Sequence, residues 1–230
     1  MMNQCNCSYQ ETLLAMFDIQ AYSCYVREHT MNQVIDKTRT FINEACLLSA
    51  SLGEFKLDTY VMSDTIILVI NNSLVKIDLY KAKWFIASCI RLMTTSIQNN
   101  FVLRGAIGSG YFYKDNDIIV SSALVDAAKY EKAADWYGTV LSLDAIDLLQ
   151  NIVINKSDNW YFEFDGLINY GKIPWKKAYI AKSDFPSEHY FIKTNINNPN
   201  WTSYIPDYFE NNNNKIANSN VIYGESSEAN

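Results

Sequence analysis

The chain is predicted to fold as an α+β domain, one antiparallel sheet with helices on one face and a C-terminal extension. Three observations lead there. Apolar runs and helix-spaced stripes follow the order β-α-β-β-α-β through residue 142, the split βαβ arrangement of ferredoxin-like palms. Two β-type runs are separated only by Ser63-Asp64, a hairpin-length gap in which Asp is tolerated. Two acidic residues, Asp18 and Asp64, stand at the ends of apolar β-type runs.

The elements follow in order. Residues 12–19 form a continuous apolar run that reads as a buried strand closing at Asp18. Val34, Thr38, Phe41, Ala45, Leu48 and Leu52 recur at helical spacing, so a helix is expected over 31–52, ended by Gly53. Strands at 56–62 and 65–70 make the hairpin; the alternation along the first leaves open which of its faces is buried. A second long helix over 77–97 buries Ala82, Ile86, Cys89, Met93 and Ile97. The strand 101–113 carries Gly105, Gly108 and Gly110, which permit bending or close backbone approach. A short strand at 117–120 precedes a helix over 121–135, for which Ser121 and Ser122 are capping candidates. A strand at 138–142 and a helix at 143–151 follow. Beyond residue 152 the aromatic-rich segments NWYFEF and KKAYIAK suggest one or two more strands. From residue 195 the composition turns to Asn, Pro and Ser, so residues 1–194 are read as the functional domain and 195–230 as a loosely ordered tail.

Composition narrows the function. At 49% hydrophobic and 19% charged, the 230-residue chain has the makeup of a globular domain with one sizeable core. A formal net charge of −6 provides no basic face and argues against nucleic acid as a partner. A small triphosphate accompanied by metal ions stays compatible, because the metal brings the positive charge. No stretch approaches the roughly 20 apolar residues of a membrane helix, and the N-terminus lacks signal-peptide order. Five scattered cysteines are most simply reduced thiols, which points to a cytoplasmic location. No phosphate-binding glycine loop or dinucleotide fingerprint is present, and His29 and His189 fall outside every motif, which leaves a hydrolase triad unsupported.

Four segments in register resemble the class III nucleotide cyclases. Phe17-Asp18-Ile19-Gln20-Ala21-Tyr22-Ser23 is similar to their first metal motif, aromatic-x-D-I-x-G-F-T, and Val61-Met62-Ser63-Asp64-Thr65 to the second, where Gly-Asp sits at a hairpin tip. Arg104-Gly105-Ala106-Ile107-Gly108-Ser109-Gly110 resembles the strand after the second long helix, and the segment from Ser121 to Glu131 takes the place of the transition-state helix. The resemblance covers about residues 12–145. It implies that Asp18 and Asp64, with the Ile19 carbonyl, hold two Mn²⁺ or Mg²⁺ ions over a nucleoside triphosphate. It also implies that the turn through Tyr22 and Ser23 offers backbone N–H groups to the phosphates. By themselves Asp18 would read as a strand-end cap and Asp64 as a turn residue.

The resemblance further marks position 60. Purine-using members place Lys or Glu four residues before the second aspartate; here stands Tyr60, whose bulk and single hydroxyl suit a smaller base. That is similar to the pyrimidine cyclases of the Pycsar anti-phage systems, above all their uridylate branch. It implies UTP as substrate, cyclic UMP as product and a separate effector that the product activates. The helix departs from the purine pattern, with Val125 and Lys129 where the family keeps Asn and Arg, so Lys129 retains a cation without the bidentate fork. Arg104 is the alternative phosphate ligand, Asp117 a candidate base contact, and Lys172, Lys176 and Lys177 distant candidates for the triphosphate. Glu131 and Lys132 read as a charged helix face. Family members assemble sites across a two-fold axis, so a homodimer with composite sites is implied. A cytidylate or adenylate cyclase, or a palm that senses nucleotide without turnover, are the rivals.

Overall fold

A computed structural model of the chain describes residues 11–46, 56–71, 76–115, 118–134, 138–153, 160–164, 167–170 and 189–192. Strand β1 (Glu11–Ile19) is followed by a short helix α1 (Tyr22–Glu28) and a longer α2 (Met31–Cys46). The hairpin β2 (Lys56–Met62) and β3 (Thr65–Asn71) leads to α3 (Leu79–Gln98) and the long strand β4 (Leu103–Asp115). Strand β5 (Ile118–Ser121), helix α4 (Ser122–Ala133), strand β6 (Thr139–Leu141) and helix α5 (Leu143–Ile152) follow. Two further short strands, β7 (Leu167–Tyr170) and β8 (His189–Ile192), complete the sheet.

The strands run in the order β2-β3-β1-β4-β6-β8-β7, with β5 folded back on β4. This is the expected α+β palm, with two corrections of detail. The sheet is antiparallel except that β4 and β6 run parallel, because the chain leaves β4 through β5, crosses by α4 and re-enters alongside. Helices also occupy both faces. Leu13, Ala15, Phe17 and Ile19 of β1 join a large apolar cluster with Phe41 of α2, Phe85, Cys89 and Leu92 of α3, and Leu149 of α5. The alternate residue Leu14, with Ile67 and Val69 of β3, packs instead against Ala123 and Ala127 of α4, as the period-2 geometry of a strand requires. The last turn of α4 sends Tyr130 and Ala133 into the larger cluster.

Glycine decides how closely α4 sits. A methyl group on Gly108 of β4 would lie 2.7 Å from the Ala127 main-chain nitrogen and against the Ala123 carbonyl oxygen, so only Gly lets the helix backbone approach the strand here. The helix starts where expected: Ser121 accepts a hydrogen bond from the Leu124 N–H at 3.0 Å. The predicted stripe of α2 is inward at Val34 and Phe41, while Leu48, Leu52 and Gly53 lie outside the described residues. NWYFEF is not a strand: Trp160–Glu163 coil into a 3₁₀ turn. KKAYIAK, Asp117, Lys172, Lys176, Lys177 and the Asn-rich tail also lie outside the described residues. Among the described residues no helix is long and apolar enough to cross a membrane.

Candidate functional site

Position 18 lies near the end of β1, paired with Thr65 of β3 on one side and Arg104 of β4 on the other. Because residues 13, 15, 17 and 19 face the large core, Asp18 faces the opposite side, toward α4. The β2–β3 hairpin delivers its tip to the same place: the Ile19 N–H donates to the Asp64 carbonyl at 2.8 Å. The two acidic residues are thereby brought to the same end of the sheet, and Asp64 is close enough to act electrostatically on Asp18.

Two tight turns make that convergence. Ala21, which precedes α1, has φ 57°, and Ser63 at the hairpin tip has φ 59°. Both are left-handed conformations that favour glycine, and both are positions where the family motifs carry Gly. This chain holds the same backbone path with Ala and Ser. The first turn of α1, with Tyr22 and Ser23, starts at once beyond Ala21.

Asp18 is embedded in a network. Gln20 Nε2 donates to Asp18 Oδ2 in a short hydrogen bond. Arg104 Nη2 lies 3.5 Å from the same oxygen, while Arg104 Nε is 2.6 Å from Glu131 Oε1. Burial raises the Asp18 pKa above the usual carboxylate value, and the charge of Glu131 adds to this; Arg104 opposes it, Asp64 raises it further and the Gln20 hydrogen bond lowers it. Glu131 corrects the reading of a charged helix face: it is 3% exposed, and only its neighbour Lys132 faces solvent. The buried positions 123, 127 and 131 at i, i+4 spacing carry the signal that would have placed it.

Tyr60 of β2 shares this side of the sheet, packing on the cluster of Leu14, Ile67, Val69, Ala123 and Ala127, with its ring centre 5.9 Å from that of Phe112. Its hydroxyl donates to Asp58 Oδ2 at 3.2 Å, and the Lys114 ammonium sits 4.8 Å from its ring centre. Burial, then the Asp58 charge and hydrogen bond, push the phenol up to about 12, so it stays a neutral donor. Lys129 lies in a groove of about 640 Å³ between α4 and the β4–β5 arm, with Tyr111, Val120, Val125 and Asp126. Burial raises the Asp126 pKa, with Ser142, Asp144, Ser109 and Lys129 as smaller influences. Thus the structure gathers Asp18, Ile19, Asp64 and Arg104 into one cluster, with Tyr60 and Lys129 on the same layer.

One carboxylate near the end of β1, one at the β2–β3 tip and the main-chain carbonyl of Ile19 are all oxygen donors, the chemistry that a hard divalent cation takes. Among the described residues no group of three His, Cys, Asp or Glu side chains could hold a metal ion. A Mg²⁺-like ion, which keeps several waters and takes substrate phosphates, would not need a third such side chain.

Solved structures similar to this chain are nucleotide cyclase domains. The adenylyl cyclase CyaB from P. aeruginosa superposes with a TM-score of 0.54 at 14% identity, over 82% of this chain and 97% of that one. The guanylate cyclase domain of RhGC from Catenaria anguillulae, in complex with GTP, gives 0.55 at 11% identity over 81% and 97%. The catalytic core of a rhodopsin-guanylyl cyclase with converted specificity, in complex with ATPαS, gives 0.55 at 12% identity over 81% and 96%. No protein-family model matches the chain, and no curated protein matches it. The chain has the fold of the adenylyl and guanylyl cyclase catalytic domains, as the class III resemblance implied.

Two predictions follow from the turns and from Asp18. Ala21→Gly and Ser63→Gly are each expected to stabilise the fold, by up to about 1 kcal/mol, since relief of roughly 1–2 kcal/mol of left-handed strain outweighs the added chain entropy. Urea unfolding checks this; a lower midpoint in both variants would show that neither turn is strained. The second concerns pH. A raised folded pKa means that the native state binds the Asp18 proton more tightly than the unfolded chain, so stability falls as pH rises from about the ordinary value of 3.8. In a chelator, Asp18→Asn is therefore expected to melt higher than wild type at pH 7, the gap closing toward pH 3. A wild type that melts higher at pH 7 would mean that the Arg104 attraction outweighs burial.

Proposed function

We propose that this chain is a uridylate cyclase, converting UTP to 3′,5′-cyclic UMP and pyrophosphate, and that it acts in anti-phage signalling through a separate effector. The observation that carries the cyclase reading is the meeting of Asp18 and Asp64, joined by the 2.8 Å Ile19-to-Asp64 hydrogen bond, on the fold shared with adenylyl and guanylyl cyclases. In the reaction the ribose 3′-oxygen bonds to the α-phosphorus while the bond from that phosphorus to the bridging oxygen breaks, releasing pyrophosphate. Two Mn²⁺ or Mg²⁺ ions, when bound, would lower the hydroxyl pKa and neutralise phosphate charge. Asp18, Asp64 and the Ile19 carbonyl are the groups that would hold them.

The other residues take positions around that pair. Tyr22 and Ser23, in the first turn of α1, lie where the phosphates would pass. Tyr60 fills the end of the site where a purine would need room, and its neutral hydroxyl is suited to one contact with a smaller base. Lys129 is the cation that a second protomer would present from its α4, which makes the active form a homodimer. The exposed Val120 and Val125 beside Lys129 support this, since they leave apolar surface on the same groove. A second reading, a nucleotide-sensing palm without turnover, is favoured by one observation: Val125, which stands where purine enzymes keep Asn, is 72% exposed and offers no polar group.

Incubation with each of the four nucleoside triphosphates and Mn²⁺ tests this. Cyclic UMP is expected as the main product, and Asp64→Ala is expected to lower its formation by at least about a hundredfold, the scale of losing a metal-ligating group. No product from any triphosphate would establish the non-catalytic palm; cyclic AMP alone would remove the argument from Tyr60. Tyr60→Ala is expected to relax base choice, read as the ratio of kcat/KM for UTP to that for ATP. An unchanged ratio would move specificity to other residues.

A further inference from the structure

We propose that Glu131 is a positioning residue for the metal-holding pair: it draws the Arg104 guanidinium away from Asp18, so that this carboxylate is steadied yet left open to a divalent cation. This rests on the cyclase reading for the identity of the pair.

The geometry is unequal in an informative way. Arg104 stands directly across from Asp18 in the β1–β4 pairing, at a distance where an undivided guanidinium would clamp the carboxylate in a bidentate pair. Instead its Nε makes a 2.6 Å contact with Glu131, and only Nη2 reaches Asp18, at 3.5 Å. The Glu131 side chain is 4% exposed, that of Arg104 19% and that of Asp18 26%. The tight member of the triad is thus also the one most removed from water, where charge pairing is strongest.

Both side-chain contacts to Asp18 fall on Oδ2, from Gln20 and from Arg104. That holds the carboxylate by one oxygen and leaves the other without a contact from either of these two side chains. Without Glu131, Arg104 would be a full positive charge beside a cation site, pairing with Asp18 and repelling the ion. With it, the Arg104–Glu131 pair is formally neutral, and Asp18 and Asp64 keep two negative charges for the metal. A mere tether of α4 to the sheet would need no third partner on this side, and α4 is already seated by Gly108 and the buried Ala123 and Ala127.

The test uses the full chain and Mn²⁺ alone, titrated by the loss of the free-ion electron paramagnetic resonance signal. Wild type is expected to bind Mn²⁺ in a manner lost in Asp64→Ala. Glu131→Gln is expected to weaken this binding by at least about tenfold, the order expected of an uncompensated charge a few ångström away. The double variant Arg104→Gln with Glu131→Gln is expected to return to within about threefold of wild type, because both charges leave together. Equal binding by Glu131→Gln and wild type, or a double variant as weak as Glu131→Gln, would overturn the proposal and leave only a structural pair. If Glu131→Gln fails to fold, the double variant decides: affinity near wild type supports the charge balance, and a tenfold loss overturns it. Absence of Asp64-dependent binding in wild type would instead remove the metal reading itself, and this inference with it.

Discussion

The site depends on one main-chain hydrogen bond, from the Ile19 N–H to the Asp64 carbonyl at 2.8 Å. Two half-buried carboxylates repel one another, and desolvation disfavours their charge. Nothing in the side chains would draw them together without a cation, so the backbone must. It does so through β1, a central strand paired to β4 along its whole length and to β3 from Leu14 to Asp18, and fully buried at Leu13, Leu14, Ala15 and Phe17. The Gln20 N–H extends the grip by donating to the Val102 carbonyl at 2.9 Å. Left-handed Ala21 and Ser63 stand on either side of these bonds. Strain of that kind persists only where surrounding structure over-determines it, and here the over-determining structure is the β3-β1-β4 ladder.

Helix α4 gives the sheet a second, polar role. On the α2–α3 face the strands bury aliphatic and aromatic side chains in the ordinary way. On the α4 face the apolar cluster is smaller, Leu14, Ile67 and Val69 of the sheet against Ala123 and Ala127 of the helix, and the same layer carries Asp18, Arg104, Glu131, Tyr60 and Lys129. Close approach at Gly108 is what brings α4 near enough for Glu131 to reach Arg104 across 27 positions of sequence. A bulkier strand residue would lift the helix and break that contact, so the seat of α4 and the electrostatics of Asp18 are one problem.

Much of this was legible in the sequence, for identifiable reasons. Asp18 and Asp64 could be placed because strand ends and two-residue hairpins are local features, read from a few neighbours. Arg104 could be put on its strand, but not its partners, since no local pattern announces a contact with α4. Glu131 was hidden by Lys132, which made the pair look like a solvated face although the buried stripe through Ala123 and Ala127 runs on to Glu131. Helix α1 escaped notice because it has only seven residues and buries none fully, so it leaves no amphipathic stripe. Ala21, standing where the motif has Gly, also removes the punctuation that would have marked its start. The aromatic run at 160–163 has strand-like composition, but the chain coils there as a 3₁₀ turn, a choice made by tertiary packing rather than by propensity.

Charge ties these parts to the proposed reaction. Asp18, Asp64 and Glu131 against Arg104 leave the cluster with two formal negative charges, on a chain whose net charge is −6. A nucleoside triphosphate, itself strongly anionic, has no electrostatic reason to approach such a surface alone. On the proposed reading it does so as a complex with divalent cations, whose charge offsets that of the cluster. On the same reading, the hold of Glu131 on Arg104 matters because a free guanidinium would attract the phosphates but disfavour the ions that must come with them. The cation needed to offset charge on the departing pyrophosphate must then come from outside the cluster. Lys129, exposed on α4 beside apolar Val125, meets that need on the proposed reading when a second copy of the chain presents it.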